Sequence, residues 1–374
     1  MHIKKIFVSE NQQTIYLIKV VAFFWLITKI WSYKTWIADR RYPLIPPSDV
    51  LKYIPDFLHL FLFGLSLLTL LIILLIKKNR ILLIVLFSSE LLSCSLDMVR
   101  WQPWEYMYMC MLLIVIINFH KPKNILLLIH LFLVSMYLFS GLHKFNRGFL
   151  SSVWLNTALI NFFGVPMGFI LKYKLFFVGL LIPIVEVVSA VLLFISKSKK
   201  KISYFLIFIH ISILIFIGPF GLKYNSVVWF WNLALIFILI VIYAEPIKRL
   251  DKNMFVRNWY WLGLWFLMPL FTFFGYWYQY FSFSLYSGKG DQMYICISEN
   301  NNELRPYFEH GVNRFCEGTS YINLQNWALE EIKSAPIPET EIYKKIAAYI
   351  RWKYPDNKMK IILYNPQTQK IVEL

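Results

Sequence analysis

The chain has 374 residues, of which 58% are hydrophobic and 19% aromatic, and its formal net charge at pH 7 is +17. Apolar runs recur over about the first 280 residues, too many and too long for one soluble core, so a single globular domain is excluded and a multi-pass membrane protein expected. The positive charge does not describe a nucleic-acid surface, because Lys and Arg gather in the short gaps between the runs, where they report topology toward membrane lipids.

In chain order, MHIKKIF is basic but lacks a following small-residue cleavage site, so Ile15–Trp31 reads as a retained first span anchored by Trp31, Tyr33 and Trp36. Pro43, Pro46, Pro47 and Pro55 forbid a long helix over Ser32–Pro55, which is expected to form a cap on the membrane surface. Asp56–Ile76, Ile81–Leu96, Tyr106–Phe119 and Ile125–Leu142 are the next spans. Asn146, Asn156, Asn161, Gly164, Pro166 and Gly168 interrupt Phe145–Lys172, read as interfacial or re-entrant helix. Leu175–Ile195, Ile202–Ile217, Val227–Tyr243 and Trp259–Tyr280 bring the total to about nine spans.

With the N-terminus in the cytoplasm, Lys4/Lys5, Lys77–Arg80, Lys121/Lys123, Lys197–Lys201 and Lys248–Arg257 all lie inside, and the C-terminus lies outside. Lys34, Arg40, Arg41 and Lys52 in the cap dissent from that pattern. After Ser287 the chain turns polar, with strand-like alternation over Gln292–Ser298 and Met359–Tyr364 and a helical pattern over Glu339–Trp352. The expected fold class is therefore an all-α polytopic membrane bundle over residues 1–281. A small extramembrane, periplasmic α+β domain follows over residues 282–374.

Two of the four cysteines, Cys296 and Cys316, fall in that exported domain, where an oxidising compartment favours a bridge over two packed thiols. Cys94 and Cys110 lie at membrane depth and read as packed thiols. There is no CxxC and no Cys/His set with zinc spacing, so no metal is expected.

Ionisable residues inside apolar runs are the candidates for chemistry. Glu90, Glu186 and His210 sit near the middle of their spans and should face the bundle interior, either as helix-fastening hydrogen bonds or as a site. Three polar motifs emerge together on the outer side: Asp97, Arg100 and Gln102 in SLDMVRWQPWEYMY, His143 and Lys144 in YLFSGLHKFNRGF, and Lys223, Asn225 and Ser226 in GPFGLKYNS. They predict a polar cluster in which Asp97, Arg100, Gln102, His143 and Asn225 surround Lys144. A neutral lysine amine there is a base near neutral pH, oriented by an amide or imidazole. The structural alternatives are a snorkelling lysine at a helix end and an ion pair with Asp97.

YLFSGLHKFNRGFL resembles the YFxAGxxKLxxxWL signature of the horizontally transferred transmembrane domain, the membrane portion shared with vitamin K-dependent gamma-glutamyl carboxylase. SLDMVRWQPWEYMY is similar to an earlier segment of that family, and the resemblance runs over roughly Ile15–Glu245. It implies that Lys144 deprotonates a quinol, assisted by His143 and Asp97. Arg100, Gln102, Trp104, Glu186 and Asn225 would line a pocket for a menaquinone-like quinone or quinol. Trp104 stands where the carboxylase has a histidine assisting its lysine, and the C-terminal domain is shorter than the carboxylase's large lumenal part. The Glu186 span, with Pro183 before it, also resembles DoxX/MauE-type membrane proteins, and GPFGLKYNSVVWFWN and WALEEIKSAPIP resemble a bacterial branch of the superfamily. The expected function is a quinone- or quinol-binding oxidoreductase, or a carboxylase-like enzyme, of a bacterial inner membrane. The alternative is a non-catalytic envelope subunit whose bundle anchors the C-terminal domain and presents it to an envelope protein partner.

Overall fold

The computed structural model describes residues 9–247, 252–297, 301–311, 313–316, 320–355 and 359–374. The basic residues Lys4, Lys5, Lys248 and Arg249 thus lie outside the described residues, as does Ser298. The chain is mostly helical: α1 (Glu10–Trp31), α2 (Tyr33–Trp36), α3 (Asp56–Leu75), α4 (Arg80–Leu96), α5 (Pro103–Ile117), α6 (Pro122–Leu142) and α7 (Met167–Lys172) come first. Then follow α8 (Leu181–Ile195), α9 (Lys199–Ile217), α10 (Val227–Ile242), α11 (Lys252–Arg257), α12 (Trp259–Leu262), α13 (Leu324–Glu331) and α14 (Thr340–Lys353).

Local chemistry sets the ends of these helices. Ser9 caps α1 by accepting the Gln12 N–H at 3.2 Å, and Asn79 Oδ1 caps α4 by accepting the N–H groups of Ile81 and Leu82. Pro103 and Pro122 open α5 and α6, where a missing N–H removes no helical hydrogen bond.

Among the described residues, five helices are long and apolar enough to cross a membrane: Glu10–Trp31, Asp56–Leu75, Pro122–Leu142, Leu175–Ile195 and Lys199–Ile217. Pro103–Ile117, Phe149–Phe162, Val227–Ile242 and Trp259–Phe274 are apolar but shorter. Large apolar side chains such as Phe61, Leu68, Ile184, Val188, Phe208 and Ile215 are exposed, while Lys29, Glu90 and Glu105 are fully buried. That arrangement inverts the pattern of a water-soluble protein.

Two stretches depart from plain helix. Over Phe145–Lys172 the chain forms a π-helix, Phe149–Phe162, and then the short α7. The expected last span is broken into α12, a π-turn over Gly263–Leu267 and a tight helix over Met268–Phe274 that ends at Gly275 with φ 78°. Pro269 accounts for the break, since its ring displaces the carbonyl four residues earlier. That carbonyl, on Trp265, instead accepts the Ser135 hydroxyl of α6, so the freed group is satisfied inside the bundle.

The C-terminal unit is a five-stranded antiparallel sheet in the order β2-β3-β1-β4-β5, with β1 (Gln292–Ile297), β2 (Glu309–His310), β3 (Ser320–Asn323), β4 (Met359–Tyr364) and β5 (Ile371–Glu373). A disulfide joins Cys296 to Cys316. One apolar core runs from this unit into the cap and the loop after α4: Ile295, Trp327 and Ile346 pack with Tyr42, Ile45 and Val99. Polar contacts follow the same seam. Lys34 Nζ lies 3.0 Å from Glu331 Oε1, Thr35 Oγ1 donates to Ile332 O at 2.8 Å, and Lys345 donates to the Pro46 and Pro47 carbonyls.

Glu339, where the C-terminal unit meets Gln279, should make stability depend on pH. Its carboxylate accepts the Gln279 N–H at 2.7 Å, but burial, with the nearby charges of Glu341 and Asp291, pushes the carboxyl up from 4.5 to about 7. A carboxyl that binds its proton more tightly when folded stabilises the fold below its unfolded value, and that contribution is lost as pH rises through its folded value. Stability against thermal unfolding should therefore fall by on the order of 2 kcal/mol between about pH 5 and pH 8. Glu339→Gln should flatten that dependence; an unchanged slope in the variant would remove Glu339 as its source.

Candidate functional site

The site forms where α6, α8, α9 and α10 meet. One face of α6 carries Tyr137, Ser140, Gly141 and, just beyond its end, Lys144, because positions three and four apart share a helix face. Gly141 lets α8 come close: a β-carbon there would fall 2.8 Å from Val187 Cγ2, 2.9 Å from the Pro183 carbonyl and 3.0 Å from Glu186 Cβ. That approach brings the Lys144 Nζ within 2.7 Å of Glu186 Oε1 and 2.6 Å of Oε2, with Ser140 Oγ accepting at 2.8 Å. Three N–H groups thus meet three acceptors, the geometry of an ammonium held by its counter-ion. Lys144 and Glu186 are 7% and 8% exposed, so the pair is nearly dry but reachable from one side.

A second polar chain runs beside it. Asn232 donates its amide N–H to the Val228 carbonyl, leaving its oxygen to accept from His210 Nδ1 at 2.7 Å. His210 Nε2 then accepts the Tyr137 hydroxyl at 2.7 Å. This pattern assigns the Nδ1–H tautomer to His210. Tyr137 and Ser140 are three residues apart on α6, so the two chains lie side by side on one helix face.

The structure brings together only part of the expected cluster. Lys144 and Glu186 meet, and His210 lies next to them. His143, although adjacent in sequence, turns the other way: its ring stacks on Phe273 at 4.5 Å, and Lys289 Nζ of the C-terminal unit lies 3.2 Å from Nδ1. Asp97 is held by Arg40 at 2.6 Å and by the Ile45 and Val99 N–H groups. Burial opposes its ionisation, but Arg40 and Arg100 outweigh it and keep the carboxyl below its usual range. Arg100 directs its guanidinium to the Thr35, Trp36 and Ser93 carbonyls, the Ser93 hydroxyl and His59 Nδ1. Gln102 donates to Val99 O and to Ala335 O of the C-terminal unit. Trp104 is buried edge-to-face on Trp36, and Asn225 occupies a left-handed turn, φ 47°, before α10. Asp97, Arg100 and Gln102 fasten the cap and the C-terminal unit to the bundle instead of surrounding Lys144.

Sequence reasoning did not single out Tyr137, Ser140 and Asn232 at this site, nor Lys29, Arg40 and Glu105 elsewhere. Lys29 carried a legible signal, as a charge inside the apolar run Ile15–Trp31. Tyr137, Ser140 and Asn232 carried none, since such residues are common in membrane helices without a role.

No protein-family model, curated protein or solved structure matches the chain.

Proposed function

We propose that the chain is an integral protein of a bacterial inner membrane, with about nine spans, a cytoplasmic N-terminus and a periplasmic C-terminal unit. We further propose that the Lys144–Glu186 pair is a proton-transfer site acting on a menaquinone-like quinol. The observation that carries this reading is the nearly dry Lys144–Glu186 pair beside the Tyr137–His210–Asn232 chain. An ammonium can pass its proton to the carboxylate beside it, and the amine so freed can take one from a bound hydroxyl; intramembrane ionisable pairs of this kind mark proton relays. The quinol as substrate rests on the resemblance of the Lys144 motif to the quinol-deprotonating family. His143 and Asp97 have no part in this reading.

The test is binding of a short-chain naphthoquinol to the purified protein. Lys144→Ala, Lys144→Arg and Glu186→Gln should each weaken it at least about tenfold, because each removes or reshapes a charged hydrogen-bonding partner for the quinol hydroxyl. Removing one partner of a buried pair also costs stability, so the paired change Lys144→Met with Glu186→Leu is the cleaner variant, neutral and apolar at both positions. It should fold and fail to bind; binding as in the wild type would overturn the assignment. Reporter fusions at Lys78, Lys199 and Leu374 test the topology separately, with a cytoplasmic signal at Leu374 against it.

A second reading, the non-catalytic envelope anchor, is favoured by how fully Asp97, Arg100 and Gln102 are engaged in seating the cap and the C-terminal unit. On that reading the Lys144–Glu186 pair only fastens α6 to α8, and the naphthoquinol does not bind the wild type.

A further inference from the structure

A second ionisable group lies where α1, α3, α4 and α5 meet, and the Lys144 site does not touch it. Lys29 Nζ of α1 is 2.8 Å from Glu90 Oε2 of α4, and the Ser66 hydroxyl of α3 donates to Glu90 Oε1. The Glu105 carboxyl of α5 borders the same interior: its Oε2 accepts the indole N–H of Trp25, one turn before Lys29 on α1, at 2.7 Å. Lys29 also sits 3.0 Å above the Trp36 ring. Lys29, Glu90 and Glu105 are all 0% exposed.

The hydrogen-bonding inventory of this trio does not close if both carboxyls are ionised. An ionised carboxylate only accepts, so each of the two needs donors of its own. The single close cation, Lys29, is placed against Glu90. Arg100, the next cation, directs its N–H groups to Thr35, Ser93, Trp36 and His59. Glu105 Oε1 receives no N–H or O–H from the described residues. The other titratable groups facing the trio, Cys94 of α4 and Tyr108 of α5, are themselves buried. A small adjoining gap, lined by Leu17, Val21, Trp25, Leu70, Leu86 and Met111, is apolar and offers neither carboxyl a donor. Leaving a second carboxylate charged here without a partner would cost several kcal/mol.

We infer that the Glu90 and Glu105 carboxyls together carry one proton beside Lys29, so that this trio is a second proton-binding site of the bundle, assembled from α1, α4 and α5. Its ligand is the proton itself, one proton for two buried carboxyls and one ammonium. The site stands independently of the Lys144–Glu186 reading, since no residue is common to both.

Infrared spectroscopy of the full-length protein in lipid bilayers reads such a proton directly, as the C=O stretch of a protonated carboxyl that shifts in D2O. At about pH 9 the carboxyls of the C-terminal unit, Glu339 included, are ionised and contribute nothing. The wild type should show the band, and Glu105→Gln and Glu90→Gln should each lose it, because either change leaves one carboxylate for one ammonium. Glu105→Gln keeps an oxygen for Trp25 and is neutral and of the same size, so it should fold and decides the matter even if the Glu90 variant does not. Glu186→Gln should leave the band in place. Absence of the band in the wild type, its survival in Glu105→Gln, or its loss in Glu186→Gln would overturn the inference.

Discussion

Arg100→Ala is expected to destabilise the protein by about 3–5 kcal/mol, the range for removing one partner from a buried charged network. The guanidinium is fully buried and is the common donor for three segments: Thr35 and Trp36 of α2, Ser93 of α4 and His59 of α3. Without it, the Thr35, Trp36 and Ser93 carbonyls and the His59 ring nitrogen lose a donor in the buried interior, and each orphaned buried acceptor adds its own desolvation cost. Asp97 would keep Arg40 but lose the second positive charge, 3.7 Å away in the intact protein. Arg100→Lys should rescue little, because an ammonium lacks the planar fork that reaches all three segments at once. The measurements are thermal unfolding in detergent and limited proteolysis of residues 37–55. A cap that stays protected and an unchanged melting temperature in Arg100→Ala would remove the anchoring role and return Arg100 to the pool of ligand-binding candidates.

Gly141→Val is the second change with a large expected effect. Its β-carbon would meet the Pro183 carbonyl and the Glu186 Cβ at 3.0 Å or less, and both belong to the backbone or stem of α8, which cannot rotate aside. α8 must back away, so the Lys144–Glu186 contacts at 2.6 and 2.7 Å open. Overpacking of this kind costs about 1–3 kcal/mol, and the accompanying loss of naphthoquinol binding should match that of Lys144→Ala. Gly64→Ala is the control, since a β-carbon at that position of α3 meets nothing within 4 Å. If Gly141→Val binds the quinol normally, close approach of α6 and α8 is not what builds the site.

How much was legible beforehand differs between elements and pairings. The apolar runs located α1, α3, α4, α6, α8, α9 and α10 to within a few residues, because helix formation in an apolar segment is a local matter of length and hydropathy. The prolines of Ser32–Pro55 ruled out a long helix there, and the composition change after Ser287 marked the start of the sheet-bearing unit, for equally local reasons. Pro269 was visible too, but that its displaced carbonyl would find Ser135 of α6 was not.

Lys144, Glu186, His210, Glu90, Asp97 and Arg100 could each be named from the sequence alone, since an ionisable group in an apolar run is conspicuous wherever the helix packs. Their partners could not. Periodicity says which side chains share a face of one helix, but not which other helix that face meets. Glu186 finds Lys144 because Gly141 admits α8, Asp97 finds Arg40 because the cap folds back over α4, and Lys29 finds Glu90 because α1 and α4 both border the same interior. Those are decisions of packing between segments distant in the chain, and only the tertiary structure makes them.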